Sequence, residues 1–142
     1  DVLFCPGADQ AVDTAAELAK AGETQAQSSY YYRHGWVARQ YDPPGGPEPP
    51  EHAKLHDLGP NRDGRPIRIL AMDTQFDVGR SFAAFGITAR THHRGEMVNA
   101  LDADGSVRPH ANTDARFTIR LDDAAALTNA FSEILSTFEA AE

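Results

Sequence analysis

Five prolines and two glycines fall within residues 42–51, DPPGGPEPPE. Proline lacks a backbone donor and clashes with the preceding helical turn, so neither a helix nor a central strand can cross this stretch. It reads as an exposed, partly extended loop that separates an N-terminal arm from a main body. The 142 residues suffice for one compact domain with a core and are too few for two. Residues 1–142 are therefore read as a single domain, with 42–66 as a proline- and glycine-rich loop region inside it.

Beyond that loop the patterns are mostly those of strands. Residues 81–94, SFAAFGITARTHHR, read as the organising strand: Phe85, Ile87 and Ala89 alternate with Gly86, Thr88 and Arg90. Residues 67–72, IRILAM, form an interior strand that runs into Asp73. Residues 97–101 and 106–110 flank the turn residues 102–105 and read as a hairpin. In residues 116–122, Phe117, Ile119 and Leu121 point one way and Arg116, Thr118 and Arg120 the other. Before the loop, residues 30–41, YYYRHGWVARQY, are rich in β-favouring aromatics, and Gly35 marks a bulge or a close backbone approach.

Two helices complete the pattern. Val12, Ala15, Ala16 and Ala19 give the first a narrow apolar face, with Asp13, Glu17 and Lys20 at exposed positions, Asp9 as N-cap and Gly22 as its stop. Leu127, Phe131, Ile134, Leu135 and Phe138 give the last a broad stripe, with Asp122 or Asp123 capping its start. Consecutive strands without crossover helices imply antiparallel pairing. The predicted fold is α+β: a mostly antiparallel sheet of about five strands, the C-terminal helix packed on one face, and a shorter N-terminal helix.

Composition narrows the partners. The formal net charge is −8, so duplex nucleic acid or an anionic membrane surface is a poor partner. No apolar run reaches the roughly 18 residues of a membrane span, and a soluble domain is expected. The single cysteine, Cys5, permits no intrachain disulfide; a reducing, cytoplasmic setting is expected. The start at Asp1, without methionine, reads as a processed product or an excised domain.

Several residues could carry chemistry. His52 and His56 stand at i, i+4 and would share one face of a helix, the spacing of two metal ligands. The segment AKLHDLG around His56-Asp57 resembles the HD phosphohydrolase motif. That family is a helical bundle, which the flanking strands here exclude, so only the local chemistry is retained. His92 and His93 are adjacent, so a strand turns them to opposite faces and at most one joins a given site. Arg90 and Arg94 beside them suit a carboxylate or phosphate. Asp73 ends the interior strand, where a sheet holds a carboxylate rigidly, or where it simply caps a loop. The order Asp73, loop, Arg90-x-His92 is similar to the layout of some uracil-DNA glycosylases. The water-activating loop of that family is missing after Leu70, and the acidic balance opposes a duplex-DNA enzyme.

Cys5 lies in an apolar run with no histidine near it in sequence and reads as a buried structural cysteine. No phosphate-cradling glycine loop is present, and no cofactor is expected. Tyr32 and Trp36 belong to an aromatic run that could stack on a ligand.

Two functions follow. The first is a non-catalytic binding or interaction domain that recognises a protein or small ligand through Tyr32, Trp36, Arg94 and the proline loop. The alternative is a metal-assisted hydrolase of a phosphoester or similar anionic substrate. It would use His52 and His56 as ligands and His92, Asp73 and Arg90 for catalysis. Because residues 52–66 offer almost no apolar face to anchor them, the histidines are expected not to assemble with Asp73. Oligomeric state is left open by the sequence.

Overall fold

The computed structural model describes residues 4–23, 26–32, 60–61, 63–121 and 127–140. In chain order the elements are helix α1 (Thr14–Ala19), strands β1 (Tyr30–Tyr32), β2 (Ile69–Asp73), β3 (Phe76–Val78), β4 (Met97–Asp102), β5 (Val107–Ala111) and β6 (Ile119–Leu121), and helix α2 (Leu127–Ala140). Strands β1, β2, β4 and β5 form one antiparallel sheet in the order β1-β2-β4-β5. A second, two-stranded sheet pairs β3 with β6. The fold is α+β, with the mostly antiparallel sheet, the long C-terminal helix and the short N-terminal helix that the patterning predicts. Among the described residues, no helix is long and apolar enough to cross a membrane.

Alternation in β4 decides how the larger sheet is used. Val98, Ala100 and Asp102 are buried, while Met97, Asn99 and Leu101 are less so. Val98 and Ala100 join Met72 of β2 in the core, where Ile134, Leu135 and Phe138 of α2 meet Phe117, Ile119 and Leu121. Full burial of each such large side chain contributes about 1.5–3 kcal/mol. The Phe117 and Phe138 rings stack at 3.8 Å between centroids, and His110 of β5 stands edge-on to both. The hairpin joining β4 to β5 turns at Gly105, whose φ of +86° favours a residue without Cβ. Asp102 at its base takes the Arg108 guanidinium through both carboxylate oxygens.

Four expectations need correction. Residues 81–94 are not a strand. Arg80–Phe85 is a 3-10 helix bracketed by Gly79 and a left-handed Gly86. Phe82 is buried, whereas Phe85, which strand alternation would bury, is 64% exposed. Strand-like contacts remain at Arg90, which exchanges both backbone hydrogen bonds with Phe76, and at His92, which bridges to Ala8.

Of residues 116–121, only Ile119–Leu121 are strand, and that strand runs parallel to β3. The left-handed Asp114 and Ala115 just before it redirect the chain out of the antiparallel sheet.

In α1 the N-cap is Asp13, whose carboxylate accepts from the Ala16 amide. Asp9 serves elsewhere, as described below. The alanine face of α1 is exposed, and the residue turned inward is Glu17. Glu17 is bound by Lys20 at 2.8 Å, by the Gln27 amide at 3.0 Å and by Arg90 at 3.5 Å. Ion pairing, not alanine packing, anchors this helix. The side chains of Leu127 and Phe131, and residues 122–126, lie outside the described residues.

Candidate functional site

The second face of the antiparallel sheet carries a row of polar groups. Tyr30 lies directly opposite Asp73 across β1 and β2, and directly opposed residues share a face. On the other side of Asp73, Asn99 of β4 donates twice to Asp73 Oδ2, from its backbone amide at 2.9 Å and from Nδ2 at 2.8 Å. A row Tyr30–Asp73–Asn99 therefore crosses three strands. Asp73 is only 2% exposed, although it faces away from the apolar core.

The N-terminal arm and the turn at His93–Gly95 cover this row. Ala8 forms a β-bridge with His92, the His93 amide donates to Gly7 O at 2.9 Å, and the Asp9 amide donates to Thr91 O at 2.9 Å. The Asp9 carboxylate accepts from the Thr91 hydroxyl and the Arg94 amide, both at 2.8 Å. Gly7 is required here by contact. A Cβ on it would stand 2.8 Å from Cε1 and 2.9 Å from Nδ1 of the His93 ring.

Three ligand-type atoms meet under this cover: Sγ of Cys5, a carboxylate oxygen of Asp73 and a ring nitrogen of His93 all lie within 4.8 Å of one another. His93 Nε2 is 3.2 Å from Asp73 Oδ2 and 3.9 Å from Cys5 Sγ. Asn99 Nδ2 is 3.1 Å from the same nitrogen. A Cys–His–Asp relay would need thiol and carboxylate on opposite ring nitrogens, whereas here both face Nε2. Three lone-pair-bearing atoms crowded on one point repel unless a proton or a metal ion bridges them. Zinc–ligand bonds of about 2.0–2.3 Å in a tetrahedron put neighbouring ligand atoms about 3.3–3.6 Å apart, and the observed separations of 3.2 and 3.9 Å bracket that range.

Tyr30 completes the surroundings. Burial, and then the neighbouring Cys5 and Asp73, push its phenol up to about 12, with Cys5 also its hydrogen-bond partner. It therefore stays protonated at neutral pH and is a donor to this site. Asn99 fixes the Asp73 carboxylate as an outer-shell partner does in metal sites.

His93 and Arg94 have φ of 54° and 59°, and Asp114 and Ala115 have φ of 55° and 54°. A left-handed conformation costs a non-glycine residue about 1–2 kcal/mol. Asn112 holds the two turns together. Its Nδ2 donates to Gly95 O at 2.8 Å and to Thr118 Oγ1 at 2.9 Å, and its Oδ1 accepts from the Phe117 amide at 2.8 Å. Between these turns lies an open cleft of about 580 Å³, lined by residues that include Asp9, Asp77, Thr91, Arg94, Thr118 and Arg120.

The residues nominated from sequence fall in different places. Asp73 is at the centre, and His93 of the His92-His93 pair joins it. His92 is fully buried. Its Nδ1 is 2.6 Å from Thr74 O and so carries the donated proton, while Nε2 has no partner among the described residues. Burial holds its pKa below the usual imidazole value. The Arg90 guanidinium is engaged by Glu17 and by the Gln27 carbonyl at 2.7 Å, so it anchors α1 to the body. Arg94 lines the cleft. Tyr32 is 44% exposed, with its ring edge-on to Tyr30. Trp36, His52 and His56 lie outside the described residues.

Cys5 departs from its expected structural role: it is half-buried, with its thiol facing an imidazole 88 positions away. That distance along the chain hides the pairing. The available signals were the Cys-Pro-Gly turn, which presents a thiol on a loop, and Asn99, the polar residue on the outward parity of β4.

No protein-family model matches this chain, and no curated protein or solved structure matches it.

Proposed function

We propose that the chain is a metal-assisted hydrolase of a phosphoester or similar small anionic substrate, with Cys5, Asp73 and His93 as ligands of one zinc-class ion. The observation that carries this is the convergence of a thiol, a carboxylate and an imidazole within 4.8 Å of one another, with Nε2 3.2 Å from Oδ2 and 3.9 Å from Sγ. A thiolate and an imidazole together select zinc or cobalt over magnesium or calcium. Three protein ligands leave a fourth position open, the pattern of catalytic rather than structural zinc, where a bound water ionises near pH 7. Tyr30 is the proton donor closest in role, and Asn99 holds Asp73 in place.

A second reading, a non-catalytic domain that binds a protein or small ligand, is favoured by the exposed Tyr32 ring beside the same site.

Metal analysis separates the two. Purified protein, stripped with chelator and reloaded, should take up one equivalent of zinc or cobalt(II). The cobalt form should show sulfur-to-cobalt charge-transfer absorption that Cys5→Ser removes, and p-nitrophenyl phosphoester hydrolysis should follow metal content. Failure to bind either ion would falsify the metal centre. Stoichiometric uptake without turnover would favour the binding domain.

A further inference from the structure

We infer that the substrate is a small phosphate diester, a monoanion, whose phosphate is received by Arg94 in the cleft that shares the His93–Gly95 turn with the Cys5–Asp73–His93 cluster. This rests on the metal reading above and narrows its substrate class. The inference comes from charge and from the turn that the two sites share.

A divalent ion held by one thiolate, one carboxylate and one neutral imidazole keeps no net charge, so the metal centre offers little excess attraction for a dianion. The cleft is balanced too. Arg120 stands across from Asp77 in the β3–β6 pair, 4.0 Å away. Asp9 is occupied by the Thr91 hydroxyl and the Arg94 amide. The Arg94 guanidinium makes no ion pair among the described residues. The Thr118 hydroxyl accepts from Asn112 and keeps its own hydrogen to donate. One guanidinium and one hydroxyl are thus available, which match a single phosphate charge. The second charge of a monoester would face the Asp9 carboxylate, while Arg120 is already opposed by Asp77. A net charge of −8 on the chain repels a polyanion. The cleft of about 580 Å³ falls in the range of small-molecule sites, about 300–1,000 Å³.

The geometry joins the two halves. His93 and Arg94 are consecutive left-handed residues of one turn. The ligand of the metal and the acceptor of the anion are therefore fixed relative to each other, and strain of this kind is characteristic of functional positions. In the reaction, a water oxygen forms a new bond to phosphorus as one P–O ester bond breaks. The leaving oxygen takes up the proton that the water gives up, and a monoester and an alcohol result. No redox partner is needed.

The test compares bis(p-nitrophenyl) phosphate with p-nitrophenyl phosphate on the zinc-loaded full chain. The diester should be favoured at least tenfold in kcat/KM. Arg94→Ala should raise KM for the diester at least tenfold with zinc content unchanged, and Arg94→Lys should recover part of the loss. If Arg94→Ala fails to fold, Arg94→Asn, which tolerates a left-handed φ, takes its place. Equal or better turnover of the monoester, or a KM untouched by both Arg94 variants, would overturn the inference. Should the protein bind no zinc, the metal reading falls separately. Dimethyl phosphate titrated into the metal-free protein then decides the cleft: shifts in its NMR spectrum lost in the Arg94 variant support the diester site, and no shifts end it.

Discussion

Met72 and Asp73 are neighbours in β2 and face opposite ways. Met72 points into a core shared with Val98, Ala100 and the aromatic stack on α2. Asp73 points into a row of polar groups closed by the N-terminal arm. Both are equally buried, at 2% exposure, yet what holds them differs. The apolar face is stabilised by area and close packing, which depend on volume more than direction. The polar face depends on directed bonds among groups far apart in sequence, and one of its walls, the His93–Gly95 turn, is itself strained. A face of that kind adds little net stability. It can exist because the other side of the same strands supplies it, which is how rigid scaffolds carry costly sites.

The largest expected effect breaks the apolar face. Phe138 is fully buried against Phe117 and His110. Phe138→Ala should cost about 3–5 kcal/mol, read as a drop in the urea midpoint at unchanged slope. If the midpoint barely moves, α2 does not provide the stability assigned to it, and the contrast between the faces fails.

On the polar face the next effect appears only with metal. An ion that binds the folded state alone at a hundred times its Kd stabilises by about 2.7 kcal/mol, so zinc should raise Tm by several degrees. Asp73→Asn keeps the shape but loses the charge, and Asp73 has Asn99 donors on one side and His93 on the other. The zinc-dependent rise should vanish in this variant. A rise that persists would place the ion elsewhere.

The same contrast explains what could be read from the sequence. The core was legible because its signals are local: the apolar run 67–72, the hairpin of 97–101 and 106–110 about the turn at 102–105, and the stripe of Ile134, Leu135 and Phe138. Asp73 was legible because a polar residue ends an apolar run. Of the adjacent pair, His92 was the one assigned to catalysis, whereas His93 is the one whose ring meets Asp73. Cys5 was misread, since nothing between positions 5 and 93 marks their meeting. Glu17 was misread for a related reason: a charged residue on an alanine-rich helix looks solvent-facing until its partner Arg90, far along the chain, is known. Periodicity also misled at 81–94, where Gly79 and Gly86 rather than side-chain alternation set the backbone.

A smaller effect sharpens the polar side. Gly7→Ala brings a methyl to within 2.8 Å of the His93 ring, so the imidazole must shift or the arm must lift. Displacing a ligand's support typically costs 10–100-fold in metal affinity. Zinc affinity measured by competition with a chromophoric chelator should fall by about that much, while the urea midpoint of the metal-free protein changes little. A large loss of metal-free stability instead would show that the arm is part of the core and not only a cover.

The smallest effect is in pH. His92 is buried beneath the polar site with its pKa lowered chiefly by burial, with Asp73 and Asp9 opposing and His93 adding to the shift. The unfolded imidazole takes a proton near pH 6.5, while the folded one takes it only at lower pH. Between those values the unfolded state binds more protons, so stability rises with pH there. The contribution of His92 is thus fully present above about pH 6.5 and is lost as pH falls toward its folded pKa. Glu17 also has a lowered pKa: burial acts to raise it, but its bonds to Lys20 and Gln27 and the charges of Lys20 and Arg90 outweigh that. Its contribution is lost only further down, as pH falls through the carboxylate range. Urea midpoints taken from pH 7.5 to 5.5 should therefore fall with acid, and the fall should be shallower in His92→Asn, which keeps a donor for Thr74 O. Glu17→Gln should leave that window unchanged and alter the slope only below it. If His92→Asn keeps the full wild-type slope, the imidazole is not held neutral, and the polar face tolerates charge more readily than its burial implies.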